Sequence, residues 1–108
     1  MYISAPGARV SPKNGQAELQ IDGVWSPICG HWFWNNMDGA NLFCKEMTGK
    51  AVSAKITKRH LRLDSKAAIV GQCQQSDKSI MECTGNKPGA SHCSAGNNAG
   101  VKIQCGKS

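Results

Sequence analysis

The sequence predicts a small disulfide-rich α+β domain, and three observations carry that expectation. Six cysteines, an even number, are spread over the last four-fifths of a 108-residue chain, the density of an extracellular stapled domain. Stretches near both ends alternate apolar and polar residues with period two, the mark of half-buried strands. Between them lies one stretch with helical periodicity. A chain this short has room for one core and buries roughly two-thirds of its unfolded surface. It reads as a single domain over 9–106 between short tails, 1–8 and 107–108.

The elements follow in order. Ala17, Leu19 and Ile21 alternate with Glu18, Gln20 and Asp22, so 16–21 reads as a strand. Asp22-Gly23 then signals a tight hairpin, because a type I′ turn needs positive φ at both central residues. The returning strand is 24–29. Pro27 cannot donate to a ladder, so this strand needs a free edge or a bulge there. Residues 35–49 form the helix: Ala40, Phe43, Cys44 and Met47 recur at helical spacing, and Leu42 widens the stripe. Asn36 or Asp38 suits its start and Gly49 its left-handed stop. Residues 67–70 are a short apolar run. Ser76-Asp77 reads as a cap and first-turn acid for a short helical turn carrying Ile80, Met81 and Cys83. Residues 84–100, rich in Gly, Asn, Ser and Pro, read as loop. Val101, Ile103 and Cys105 alternate with Lys102 and Gln104 as a closing strand.

The cysteines are Cys29, Cys44, Cys73, Cys83, Cys93 and Cys105. None lies in a Cys-x-x-Cys pair, which argues against a zinc knuckle and against a redox dithiol. Structural pairing is favoured, and fifteen pairings are open to six cysteines. No apolar run approaches the ~20 residues that span a bilayer. No apolar h-region follows Met1, so the chain reads as a module excised from a longer secreted or surface protein.

Four fragments in order resemble the scavenger receptor cysteine-rich domain of the six-cysteine type, group A. They are the run from Gly15 to Ile21 with Asp22-Gly23-Val24-Trp25-Ser26-Pro27-Ile28-Cys29, the helix Ala40-Asn41-Leu42-Phe43-Cys44-Lys45-Glu46-Met47-Thr48-Gly49, the segment from Cys73 to Cys83 ending Ser79-Ile80-Met81-Glu82-Cys83, and the closing Asn98-Ala99-Gly100-Val101-Lys102-Ile103-Gln104-Cys105. The resemblance runs from Arg9 to Cys105. It implies a curved antiparallel sheet cradling one main helix. It also implies the pairs Cys29–Cys93, Cys44–Cys105 and Cys73–Cys83.

The departures bear on cofactors. Many members of the family carry two acids just after the first cysteine and further acids that together bind calcium or magnesium. Here Gly30 and His31 follow Cys29, and Asn98 stands where the last acid would be, so Asp77 is the one surviving carboxylate. A hard divalent cation wants six or more oxygens with several carboxylates among them. Asp77 is therefore a weak metal candidate, calcium is disfavoured and no cofactor is expected.

Two surface features remain. Residues 50–66 hold Lys50, Lys55, Lys58, Arg59, Arg62 and Lys66 against the single acid Asp64, nearly half of the 13 Lys+Arg in a chain of net charge +6. Such a cluster can displace counterions from sulfated glycan, microbial polymer, anionic lipid head groups or, non-specifically, nucleic acid. Lys55, Lys58, Arg59, Arg62 and Lys66 are the candidate ligand-binding residues. Arg59 and Arg62, three apart, can each fork onto sulfate or phosphate. His60 reads as part of that surface. The second feature is Trp32-Phe33-Trp34: in a strand Trp32 and Trp34 would share a face with Phe33 opposite, leaving at least one ring exposed as an adhesive aromatic patch, although two rings sealing a small core is the favoured reading. No nucleophile–base pattern or phosphate-binding glycine loop is present among His31, His60, His92 and the 12 glycines. The expected function is a non-enzymatic extracellular recognition or adhesion module, monomeric in isolation, binding a polyanion or an extracellular protein through its basic surface. The alternative is an accessory or docking domain of a secreted protease- or oxidase-type enzyme.

Overall fold

Period-two alternation places Ala17, Leu19 and Ile21 on one side of a strand, and all three are buried in strand β2 (Ala17–Ile21). A computed structural model describes residues 7–21, 23–50, 52–63, 66–80, 83, 89–93, 96 and 98–106. In it β2 is the centre of a three-stranded antiparallel sheet, between β1 (Ala8–Val10) and β3 (Val24–Pro27). β1 corrects the sequence reading, which left residues up to 8 as tail: Ala8 is 1% exposed and pairs with Leu19. Three residues are too few for a readable alternation. β3 is an edge strand, as Pro27 requires. Gly23 turns at φ 83°, and Asp22, its expected partner in the turn, lies outside the described residues.

The helix α1 (Asp38–Thr48) starts three residues later than its periodicity predicts. Asn35 belongs instead to a 3-10 turn, Phe33–Asn35. Asn36 still acts at the start, because its Oδ1 accepts the Asp38 N–H at 3.0 Å. Gly49 stops the helix as predicted, at φ 77° with its N–H donated to the Lys45 carbonyl. Leu42, Phe43 and Cys44 are buried, and α1 packs on β1, β4 (Ala54–Arg62) and β7 (Asn98–Cys105).

β4 and β7 pair antiparallel, and so do β5 (Ala67–Ile69) and β6 (Gly89–Ser91). The loop expected over 84–100 is therefore strand at 89–91 and again from 98, while 84–88 lie outside the described residues. Its small polar residues hid the strands, because pairing here is made by backbone rather than by apolar alternation. The predicted fold class holds, with the sheet divided into one three-stranded and two two-stranded pieces. Residues 28–30 knit the pieces together. Ile28 donates its N–H to Ala17 of β2, Cys29 to Ala68 of β5 and Gly30 to Ala99 of β7.

The disulfides are Cys29–Cys93, Cys44–Cys105 and Cys73–Cys83, the three pairs that the resemblance implies. The helical turn expected after Ser76-Asp77 is only partly described, with Met81 and Glu82 outside the described residues. Asp77 corrects its expected role as first-turn acid. Its carboxylate faces back and accepts the Gln74 N–H at 2.9 Å, while its own N–H donates to the Gln74 carbonyl.

Candidate functional site

The basic residues of 50–66 owe their display to an irregular strand. In β4, Ile56 is buried opposite Ile103 of β7, while Lys55 faces Gln104 and Lys58 faces Lys102. Residues directly opposite in an antiparallel pair share a face. Lys55, Lys58, Lys102 and Gln104 therefore project together on the side away from the core. Beyond Ile56 the register slips repeatedly, and Thr57 to His60 are four exposed residues in succession. Bulges re-aim side chains in this way. His60, at φ 61°, takes a left-handed conformation within the second of these slips, between Lys58 and Leu61.

Lys102 is the cation that sequence reasoning missed, because it lies far beyond the basic run in the sequence and reads as one polar position of a strand. It is half-buried. Its stem passes over Gly15, where an added Cβ would stand 3.2 Å from the Lys102 Cε. A long aliphatic stem packed flat with its ammonium at the rim is how lysine reconciles burial with charge. The turn beneath is held by Gln16, 5% exposed, whose amide donates to the Arg62 carbonyl at 2.7 Å. Lys58 and Lys102 are thus like charges placed directly opposite, an arrangement that opposes folding unless an anion offsets it.

The structure separates the remaining candidates. Arg59 is exposed on the bulged segment. Arg62 ends β4 opposite Asn98. Lys66 stands outside the β4–β7 ribbon, at the entry to β5. Arg62 and Lys66 are exposed and each engages a partner within the protein. Asp64, the acid of this stretch, lies outside the described residues.

The aromatic triplet corrects its expected strand geometry. In a 3-10 turn the rings do not alternate: Phe33 is fully buried, Trp34 half-buried and Trp32 56% exposed. Trp34 packs between the main core and a second cluster of Cys29, Leu63, Ala67 and Ala99. The His60 ring lies on it, centroids 4.6 Å apart, so His60 has a more specific place than the bare surface expected of it.

The cation site implied by the resemblance does not fit these residues. An added Cβ at Gly30 would collide with the Trp34 ring and stand 2.9 Å from the Ala99 carbonyl oxygen. The indole thus fills the space of an acid side chain there. Cys73, Asp77 and Cys83 bring their side-chain heads within 4.8 Å of one another, but the two cysteines are bonded together. That cluster offers a hard cation one carboxylate, itself engaged with Gln74.

Among known families, the model for the scavenger receptor cysteine-rich domain matches residues 8–106. No curated protein matches the chain.

Proposed function

The chain belongs to the scavenger receptor cysteine-rich domain family, whose domains are generally extracellular ligand-binding modules and typically non-enzymatic, and from that premise we propose that it recognises polyanions through the outer face of β4 and β7. The observation that carries this reading is the Lys58–Lys102 pair: two like charges held opposite each other, flanked by Lys55 and Arg59. Counterions condensed on a sulfated or phosphorylated polymer are released when these ammonium and guanidinium groups replace them, which drives association without a shaped pocket. Arg59 adds a planar fork that matches sulfate or phosphate oxygens, and the lysines act as point charges. No metal takes part, because the ligand's charge is met directly by side chains.

The test is binding of immobilised heparin to the chain and to its Lys58→Glu/Arg59→Glu variant, at two salt concentrations, with calcium and with chelator. The double variant is expected to lose binding at low salt, added salt to weaken the parent, and chelator to change nothing. Equal binding by parent and variant would overturn the assignment to β4. Strict dependence on calcium would overturn the metal-free mode.

A further inference from the structure

Resting on the polyanion reading above, we infer that the ligand is a polysaccharide of anionic pyranose rings, and that Trp32 is the platform on which one ring stacks. The three indoles are treated differently by the fold. Trp25 is half-buried under the Arg9 guanidinium, 4.5 Å above its ring, and that arginine is itself paired with Glu18 at 2.8 Å. Trp34 is half-buried between His60 and Gly30. Trp32 is 56% exposed, and its ring partner is His31 in an edge-type contact.

Trp32 does not reach solvent through a loose loop. Phe33 beside it is fully buried. The Trp34 N–H donates to the Gly30 carbonyl at 2.9 Å, and the Asn35 N–H to the Trp32 carbonyl at 3.2 Å. Between these anchors Trp32 itself sits at φ 70°, ψ −36°, a region that bulky side chains avoid. Among the described residues the only other non-glycine at positive φ is His60, whose ring contact with Trp34 joins this turn to the basic strand beside Arg59. Strain concentrated at an exposed side chain, in a turn whose Trp34 ring meets His60 of the basic strand, points to use. A glycine at position 32 would remove the strain and the ring together.

The combination selects a ligand class. A pyranose presents a face of C–H bonds with slight positive charge to the negative face of the indole, while its sulfates or carboxylates meet the lysines and Arg59. Inorganic polyphosphate has the charge without the face. Single-stranded nucleic acid stacks successive bases on successive platforms, and among the described tryptophans only Trp32 is mostly exposed.

The test compares heparin, polyphosphate and poly(dT) as ligands of the whole chain and of Trp32→Ala, Trp32→Phe, Trp32→Gly and Lys58→Glu/Arg59→Glu. Trp32→Ala is expected to weaken heparin about tenfold, within the range that stacking on one aromatic face supplies, and polyphosphate hardly at all. Trp32→Phe should recover most of that loss. Trp32→Gly should lower heparin affinity while raising Tm, a pairing that a purely structural role for the ring would not give. Equal losses for heparin and polyphosphate, or no loss for heparin, would overturn the sugar platform and leave the basic face standing if the double Glu variant still fails. A loss confined to poly(dT) would overturn it in favour of a base platform. Failure of the double Glu variant to weaken any of the three ligands would instead sink the underlying polyanion reading.

Discussion

Neutralising two of the clustered cations should change how binding responds to salt, and the size of that change follows from the β4–β7 face. On a single-stranded polyanion the logarithm of the association constant falls against the logarithm of salt concentration with a slope of about −0.7 per neutralised charge. Lys55, Lys58 and Lys102 project from this face and Arg59 is exposed on the bulged segment beside it, four cations apart from the already engaged Arg62. They give a slope of about −2.8, so raising salt from ~50 to ~200 mM weakens heparin binding about 50-fold. The Lys58→Gln/Arg59→Gln variant keeps two of the four. Its slope falls to about −1.4 and its loss over the same range to about sevenfold. Fluorescence anisotropy of a labelled heparin fragment, titrated at five or six salt concentrations, reads both slopes directly. A parent slope shallower than about −1, or a variant slope equal to the parent's, would refute the counting of cations on this face.

Two further predictions concern the fold. The disulfides Cys29–Cys93 and Cys44–Cys105 close loops of sequence separation 64 and 61, and Cys73–Cys83 one of 10. The chain-entropy model assigns about 4 kcal/mol to each long loop and about 3 to the short one, together more than half of a typical domain stability of about 5–15 kcal/mol. Reduction should therefore unfold the domain at physiological temperature, and a reduced protein with native circular dichroism would refute this. Gly30→Ala drives a methyl group into the Trp34 ring and the Ala99 carbonyl; overpacking of this kind costs about 1–3 kcal/mol. Thermal melting should show a Tm lowered by several degrees, and an unchanged Tm would mean that the ring moves aside freely.

The parts of the fold legible in the sequence are those where one side chain pattern meets one core. β2 and α1 present clean apolar faces, and Gly49 does at the helix end what its lack of Cβ allows. β4 was not legible as a strand because its bulges break the alternation and leave Thr57 to His60 all exposed. The basic run was visible as composition, but Lys102 joins it only through antiparallel register, which no local pattern encodes. For the aromatic triplet the division into two rings against the core and one exposed was legible, but the 3-10 turn that sets Phe33 against Gly39 of the helix was not, because consecutive rings carry no strand or helix period.

The interlacing of the three disulfides has a consequence for a module exposed to proteases. Cys29 is bonded to Cys93, Cys44 to Cys105, and Cys73 to Cys83. Any single peptide bond cut between Cys29 and Cys105 falls inside at least one of these spans, so the two pieces stay covalently joined. Hydrolysis there adds one water and sheds nothing. A nicked molecule would keep β4 and β7, and the cations they carry, on one covalent body.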